Sequence, residues 1–295
     1  MDWFFEFPEL GRKDLRDFRK GIDEGFKNFT RTHGEAIETF FDPLLQFLIF
    51  LEKTLLATPW PVFILLVCTV AWLASRSVKI VFGSALSFFV IGFLGMWEDT
   101  MSTVSMILVC TLVCIGLGLP LGILMARSNR AQGFITPILD VMQTIPSFVY
   151  LIPVVMLLGI GKVPGLIAIV IYAIPPMIRL TNLGIRLVDT EVLEAAEAFG
   201  SNPWQKLIKV QIPLALPNIF AGVNQTIMMA LAMVVIASLI GVTGLGQPVL
   251  KAISNQYLAM GLFNGMAIVA LAIIFDRISQ SYGNRLQSHR EGLDK

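Results

Sequence analysis

The sequence predicts an all-α integral membrane protein with about seven transmembrane helices. Of its 295 residues, 55% are hydrophobic and only 15% are charged, and the mean hydropathy is +0.74. A soluble domain has about a quarter of its residues charged. Whole stretches also lack charge, and a membrane-spanning helix needs about 20 such residues. These observations exclude an ordinary soluble enzyme and a disordered chain.

Charge and cysteine content exclude further classes of function. The formal net charge of +1 leaves no basic excess, so no nucleic-acid partner is expected. Three cysteines are too few for a disulfide framework. The chain contains no Cys-x-x-Cys or His-Glu-x-x-His motif. We therefore expect neither a metal site nor a cofactor bound by this chain.

The N-terminal region, residues 1–57, is predicted to be an amphipathic tail outside the membrane. Five apolar residues recur there at helical spacing and form one stripe: Leu15, Phe18, Ile22, Phe26 and Phe29. Residues 44–51 are also apolar but fall short of spanning length. We interpret both pieces as helices that lie on the membrane surface. The alternative is an eighth, strained span over residues 44–56, although Glu52 and Lys53 would each cost a few kcal/mol at depth.

Seven apolar segments qualify as spans because a helix satisfies its own backbone polar groups inside a bilayer. They lie at residues 59–75, 78–97, 101–126, 141–160, 163–178, 219–240 and 258–275. The first two are expected to be peripheral helices within residues 58–97. The remaining five are expected to form the core within residues 98–277.

Basic residues in the short loops orient these spans, because cytoplasmic loops are rich in lysine and arginine. Twelve basic residues follow the odd-numbered spans: Arg76, Lys79, Arg127, Arg130, Arg179, Arg186, Lys206, Lys209, Arg277, Arg285, Arg290 and Lys295. The loops after even-numbered spans contain only Lys162 and Lys251. We therefore expect a cytoplasmic C-terminal tail, residues 278–295, and an external N-terminus.

The loop after the fifth predicted span, within residues 190–217, is predicted to form two short helices. Residues 191–199 are rich in helix formers, and Gly200 suits the left-handed position that ends a helix. Asn202 can cap the next helix, with Pro203 as its first residue. Small Ala195 and Ala196 permit close approach of another surface, and Glu194 offers a carboxylate to a basic partner. The loop is therefore predicted to dock into a cleft of another protein.

The spacing in this loop resembles the EAA signature of ABC-importer permeases. Glu194-Ala195-Ala196 is followed after three residues by Gly200, and after nine more by Val210-Gln211-Ile212-Pro213. Val210 replaces the usual isoleucine. Residues 118–123, 139–146, 148–153 and 222–226 are similar to the permeases of glycine-betaine, proline-betaine and choline importers. The resemblance covers about residues 101–277.

This resemblance implies that the chain is one subunit of a larger transport complex in the bacterial inner membrane. In such importers, two permease copies pair with a dimer of cytoplasmic ATP-binding subunits, and an external binding protein supplies the substrate. The EAA loop is the coupling helix, which places Glu194, Ala195, Ala196, Gly200, Val210, Ile212 and Pro213 at the ATPase. ATP and Mg²⁺ then bind to the partner subunits, and this chain is not an enzyme.

The chain itself offers no site for ATP chemistry. The Gly-Ile-Gly-Lys run at residues 159–162 superficially resembles a phosphate-binding loop. However, Met156 stands where that loop needs a glycine, and Val163 stands where it needs serine or threonine. We therefore expect the energy source to be a separate chain that meets this one at the coupling loop.

Prolines mark a candidate substrate pathway. Pro146 and Pro153 interrupt the fourth predicted span, and Pro175 and Pro176 interrupt the fifth. A buried proline removes a backbone hydrogen bond and kinks the helix. Transporters tolerate the freed carbonyls where they face protein or a water-filled route. Proline is also simply more frequent in membrane helices, but four in neighbouring spans favour a pathway.

Polar and aromatic residues add further candidates. Asn224 and Gln225 interrupt the sixth predicted span, either facing a substrate route or forming hydrogen bonds between helices. Phe148, Tyr150 and Tyr172 lie near the interrupted helices and are candidate contacts for a quaternary ammonium group, which is bound by aromatic faces. The alternative role of these rings is packing or anchoring at the membrane interface.

Two smaller features lie at the ends of predicted spans. Residues 241–248 are too short to span and too rich in glycine for an ordinary helix, so we expect a re-entrant turn near an external gate. Asp140 is expected to cap the fourth span, or alternatively to pair with Arg127 or Arg130.

The main functional hypothesis is an ATP-driven importer permease for glycine betaine, choline or a related compatible solute, working by alternating access. A second hypothesis is an ion-gradient-driven osmolyte carrier or channel that needs no ATPase. A third is an export permease with a similar coupling loop. The predicted spans contain no carboxylate of the kind that proton-driven carriers use. This favours the first hypothesis, in which selectivity lies mainly in the binding protein.

Overall fold

The computed structural model describes residues 9–291, with side chains described up to residue 283. All regular elements in this part of the chain are helical, as predicted. The outer ends of the two predicted tails, residues 1–8 and 292–295, lie outside the described residues.

Twelve α-helices follow one another in the described residues. They are α1 Arg12–Ala57, α2 Trp60–Ser75, α3 Val78–Phe93, α4 Trp97–Arg127, α5 Asn129–Thr144, α6 Leu151–Leu158, α7 Lys162–Arg186, α8 Thr190–Ala198, α9 Pro203–Lys206, α10 Ile212–Ala237, α11 Gly246–Asn255 and α12 Leu258–Glu291. Short 3-10 turns cover Ser147–Tyr150 and Ser238–Ile240. A π-helical segment, Leu207–Gln211, joins α9 to α10.

Four long apolar segments in the described part of the chain can each cross a membrane alone. These are α4, α7, α12 and the run Pro203–Ile240 that contains α10. They correspond to the predicted third, fifth, seventh and sixth spans. The packing centres on α7, which lies along both α4 and α10. At Gly122 of α4, an added Cβ would lie only 2.5 Å from the Cβ of Thr181, so glycine permits this close approach.

The first two predicted spans form a short helical hairpin, α2 and α3, that packs against α12. Each helix has 16 residues and is about 24 Å long at 1.5 Å per residue. Only Arg76 and Ser77 connect them, and Arg76 adopts a left-handed conformation at φ 51°. The hairpin presents many large apolar side chains on its outer surface. This exposure suits contact with lipid.

The N-terminal region differs from the two separate surface helices that the sequence predicts. Helix α1 runs for 46 residues without interruption and passes through Pro43. It packs against α4, α6 and α7, and Leu48 is only 1% exposed. The following helix α2 bends away at 109°. Leu48 in the second predicted piece is thus covered by protein, whereas Phe47 and Phe50 in the same piece are exposed.

The fourth predicted span is not one helix. Helices α5 and α6 are bent by 107° at a break around Pro146. Ile145 and Pro146 are extended, with ψ of 128° and 136°. A proline disfavours the helical conformation of the residue before it and cannot donate to the helical ladder. The interruption predicted at Pro146 is therefore confirmed, whereas Pro153 lies in the first turn of α6 and does not break it.

The glycine-rich segment after α10 packs against the protein, and its last three residues, 246–248, begin helix α11. Gly241 and Gly244 have φ of 88° and 131°, where a side chain is strained. The Ile240 carbonyl accepts a hydrogen bond from the Gly161 amide at 2.9 Å. The Leu245 amide donates to the Thr103 hydroxyl at 2.9 Å. These bonds fix the turn against α4 and the start of α7.

Candidate coupling corner and candidate pathway residues

Helix α8 contains the Glu-Ala-Ala triplet and ends as the sequence predicts. The Asp189 side chain caps its start by accepting from the Glu191 amide at 2.9 Å. At its end, the Gly200 amide donates to the Glu197 carbonyl and the Ser201 amide to the Ala196 carbonyl, at 2.8 and 3.0 Å. This is the Schellman arrangement. Gly200 takes φ of 79°, which confirms the predicted left-handed position.

Helix α9 begins at once after this turn. The Asn202 side chain accepts from the Gln205 amide at 2.8 Å, and the Gln205 side chain accepts from the Asn202 amide at 2.9 Å. Pro203 occupies the first turn, where its missing N–H costs nothing. The predicted cap is confirmed. The reciprocal bond from Gln205 was not predicted, although Asn-x-x-Gln is a capping-box signal.

Two further contacts brace this corner, which we define as the coupling corner, residues 189–211. Lys206 of α9 forms an ion pair with Glu197 of α8. The Arg127 guanidinium, at the end of α4, lies 5.0 Å from the centre of the Trp204 ring. Sequence reasoning missed both contacts because Glu197 and Lys206 are nine residues apart, and Arg127 lies in another loop.

The outer surface of the coupling corner carries large apolar side chains where polar ones would be expected. Phe199 is 91% exposed and Trp204 is 63% exposed, and Val192 and Ile208 of the same corner are also exposed. A surface with several large exposed apolar side chains is a candidate interaction surface. Glu194 and Ala195 are exposed on the same short helix, and Ala196 is partly exposed. The triplet is therefore accessible to a partner.

The second half of the predicted motif has a different position. Val210 lies in the π-helical segment Leu207–Gln211, and Ile212 and Pro213 begin α10. All three are partly buried. Pro213 lacks the N–H that would continue the helical ladder, and π-helical turns occur as single-turn bulges inside α-helices. These residues thus connect helix α8 and its turn to α10, while Glu194 and Ala195 lie on the surface of the coupling corner.

The candidates near the break between α5 and α6 fall into two groups: a pair of tyrosines, of which Tyr150 is buried and Tyr172 partly buried, and a set of exposed residues. Tyr150 and Tyr172 meet edge to face with ring centres 6.1 Å apart. The Tyr150 hydroxyl donates to the Met142 carbonyl across the break between α5 and α6. In contrast, Phe148 is exposed, as are Pro146 and Pro153. The tyrosine pair stabilises the bend, and Phe148 remains available for other contacts.

The two polar candidates of the sixth predicted span have different surroundings. The Asn224 amide donates to Asp276 of α12 at 2.7 Å, so this side chain bonds between helices. Gln280 donates to the same oxygen at 2.6 Å. Gln225 is exposed. Asp276 was missed because the apolar run ends at residue 275, whereas α12 continues to Glu291.

One ion pair differs from the sequence-based expectation, and a second one was not predicted. Asp140 lies inside α5 and pairs with Arg179 of α7, so it neither caps a helix nor contacts Arg127 or Arg130. Glu52 of α1 pairs with Lys162 at the start of α7. The Ser102 hydroxyl donates to the other Glu52 oxygen at 2.9 Å. These partners offset the cost of burying Glu52, which is 9% exposed.

Comparison with known sequences assigns the chain to a family. Residues 118–287 match the profile of the family described as "Binding-protein-dependent transport system inner membrane component". This match covers more than half of the chain. The chain belongs to this family. It is thus a multi-pass permease component of the inner membrane, and the predicted resemblance to importer permeases is confirmed.

The relatives of this permease include proteins named for betaine transport. It is 49% identical over 237 residues to the "Glycine betaine/proline betaine transport system permease protein ProW" of Escherichia coli, covering 80% of this chain and 67% of the relative. It is 38% identical over 275 residues to the "Glycine betaine transport system permease protein OpuAB" of Bacillus subtilis, covering 93% and 95%.

A solved structure supports the fold of the permease. An inward-facing structure of the MetNI methionine ABC transporter matches with a TM-score of 0.57 at 20% identity, covering 63% of this chain and 93% of that chain. At this identity the likeness shows the architecture alone. The all-α importer-permease fold predicted from the sequence is confirmed.

Proposed function

We propose that this permease is the membrane subunit of an ATP-driven importer for glycine betaine or a related quaternary-amine solute such as choline. The observation that carries the proposal is the 38% identity to a glycine betaine permease along 93% of this chain. The family description adds dependence on a binding protein. An external binding protein would supply the solute and provide most of the selectivity.

The coupling corner would receive the force of ATP hydrolysis. We propose that α8 docks in a groove of a cytoplasmic ATP-binding subunit, with Glu194, Ala195 and Ala196 at the contact and Gly200 shaping it. ATP and Mg²⁺ would be held by a dimer of these subunits, below two copies of the permease. The exposed Phe199 and Trp204 support this role, because they would be covered in such a contact.

The coupling corner would transmit this force into the membrane region by two routes. One route follows the unbroken helical backbone from Pro203 through the segment Leu207–Gln211 into α10. The other follows Trp204 to Arg127 at the end of α4. Closure of the ATP-binding subunits would then tilt α10 and α4 together. Such a tilt would be the alternating-access motion that import requires. In this orientation, the N-terminus would lie outside and the C-terminus in the cytoplasm.

Reconstitution tests this function against its competitors. The permease would be placed in liposomes with its ATP-binding subunits and binding protein, and labelled glycine betaine uptake would be followed with and without ATP. We expect uptake only when all components and ATP are present. Uptake or conductance by the permease alone would favour the ion-gradient carrier or channel. ATP-driven movement in the opposite direction would favour the export permease.

A further inference from the structure

The last turn of α4 accepts a hydrogen bond from a charged side chain of another helix. The Arg186 guanidinium, at the end of α7, donates through Nη2 to the Met125 carbonyl at 2.8 Å. Helix α4 ends at Arg127, so this carbonyl is one of the last four of the helix, which have no N–H partner within it. A positive side chain suits this position, because the C-terminal end of a helix carries partial negative charge. The bond joins the end of α7 to the end of α4.

A second hydrogen bond orients this arginine. Its Nε donates to the side-chain oxygen of Asn182, one turn earlier on α7, at 3.0 Å. Asn182 is only 8% exposed and Met125 only 1% exposed, so both acceptors are fixed in the packed interior. The N–H groups of an arginine lie in one rigid plane. Two bonds in different directions therefore hold the guanidinium in one orientation, although Arg186 is partly open to its surroundings.

Close packing of α4 and α7 leads up to this bond. An added Cβ at Gly118 would lie 2.8 Å from the Cγ of Met177, and one at Gly122 would lie 2.5 Å from the Cβ of Thr181. Close-packed helices in a protein interior transmit displacement because they leave little free space. Arg186 closes this contact at its end, so α4 and α7 are joined from their middle to their last turn.

The same turn of α4 contacts the chain on both sides of α8. Before α8, only residues 187–189 separate it from Arg186, which is bonded to Met125. After α8, the Trp204 ring lies 5.0 Å from the Arg127 guanidinium. Met125 and Arg127 are two residues apart, so both flanks of the Glu-Ala-Ala helix are attached to one short stretch of α4.

We propose that Arg186 is a positioning residue for coupling, which holds the start of α8 against the last turn of α4. This inference rests on the proposed function, in which α8 receives the movement of the ATP-binding subunits. With Arg186 in place, displacement of α8 pulls α4 and α7 together. Without it, the same displacement is lost as rotation of the short connection at residues 187–189. In this role Arg186 contacts neither ATP nor solute, and it acts through the helices that it joins.

The experiment compares glycine betaine uptake with ATP hydrolysis in proteoliposomes that contain the permease, its ATP-binding subunits and the binding protein. We expect Arg186→Gln to lower uptake per ATP hydrolysed by about tenfold, the change in an equilibrium expected from one lost charged hydrogen bond. The melting temperature and co-purification of the ATP-binding subunit should stay unchanged. Arg186→Lys should give an intermediate ratio, because an ammonium group replaces only part of the planar fork.

The matched control is Arg130→Gln. Arg130 is an exposed arginine three residues beyond the end of α4, and its side chain forms no hydrogen bond or ion pair with a described residue. This variant removes the same charge from the same side of the permease, and it should leave uptake per ATP unchanged. An equal loss in Arg130→Gln and Arg186→Gln would show that general charge matters, and it would refute the specific role of Arg186.

Asn182→Ala separates positioning from direct contact with the ATP-binding subunit. Asn182 is too buried to reach a partner, and its replacement removes only the acceptor of the Arg186 Nε. We expect about threefold lower uptake per ATP, with normal co-purification, as for one lost hydrogen bond. If Arg186→Gln instead releases the ATP-binding subunit while Asn182→Ala transports normally, Arg186 binds the partner directly and the positioning role is wrong.

A distance measurement tests the attachment without any solute. Spin labels are placed at Leu124 and Glu191, two exposed residues at the end of α4 and on α8. The permease carries alanine in place of its three native cysteines and is complexed with the ATP-binding subunits. We expect one narrow distance distribution with Arg186 present and a broader one in Arg186→Gln. An identical distribution in both proteins would overturn the inference.

These results separate the inference from the proposed function. If the wild-type system imports glycine betaine with ATP and Arg186→Gln has the same uptake per ATP, the positioning role fails and the proposed function stands. If the wild-type system imports no quaternary amine, the proposed function fails. The distance between Leu124 and Glu191 then still decides whether Arg186 holds α8 against α4.

Discussion

Glu197 of α8 forms an ion pair with Lys206 of α9, which closes the two short helices of the coupling corner against each other. Gly200 turns the chain between them, and the Lys206 side chain is the less exposed of the two partners. The pair is local to an exposed loop, so its effect on global stability is small. Its effect is to fix the angle at which α8 is presented.

Reversing the two charges tests whether this angle matters. Glu197→Lys and Lys206→Glu each place two like charges across the corner, and we expect each to reduce ATP-dependent uptake severalfold. The double variant restores an attractive pair, and uptake should largely recover. Uptake and ATP hydrolysis in proteoliposomes measure both steps. If the double variant stays as poor as the singles, Glu197 itself contacts the partner, and the ion pair is secondary.

Gly200→Ala is expected to uncouple transport. At φ of 79° an added Cβ costs about 1 kcal/mol or more, which favours a different helix end and displaces α9. Membrane insertion should be normal, because no atom lies within 4 Å of the new Cβ. The control is Gly133→Ala, which also has open space but no positive φ. Normal uptake by Gly200→Ala would contradict a requirement for this turn.

Ala196→Trp tests the docking surface. Ala196 is partly exposed on α8, and a tryptophan there would prevent close approach of a partner. We expect loss of ATP-dependent uptake and of co-purification with the ATP-binding subunit, while the permease still inserts. Ala36→Trp, on the exposed surface of α1, serves as the control. Retained coupling of ATP hydrolysis to uptake in Ala196→Trp would refute the assignment of α8.

The coupling corner was predictable because its signals are local. Gly200, Asn202 and Pro203 act on the backbone within a few residues, so each specifies a helix end wherever the loop lies. The triplet at Glu194 was recognisable by spacing alone. The exposure of Phe199 was not predictable, because an aromatic residue in a helical loop is as easily buried as exposed.

The breaks and buried charges were harder to predict because their causes are not local. Pro146 indicated an interruption of the fourth predicted span, but mean hydropathy takes no account of backbone direction, so the bend of 107° between α5 and α6 was not predicted. Glu52 looked too costly to bury because its partner Lys162 lies 110 residues away in the sequence. Asp276 and Asn224, 52 residues apart, meet only once α10 and α12 pack.

The Glu52–Lys162 pair provides a stability test that does not depend on transport. Glu52→Gln and Lys162→Gln each leave a poorly solvated charge without its partner, and we expect each to destabilise the permease by about 2 kcal/mol, less than for a fully buried pair. The double variant removes both charges and should cost less than the sum of the two singles.

Thermal unfolding of the detergent-purified permease measures this coupling. The matched control is Lys20 with Glu24, an exposed pair on α1 whose replacement by glutamines should leave the melting temperature nearly unchanged. If the effects of Glu52→Gln and Lys162→Gln simply add, the two side chains do not interact in the folded protein. In that case, apolar contacts around Leu48 and the hydrogen bond from Ser102 to Glu52 hold α1 against the rest of the protein.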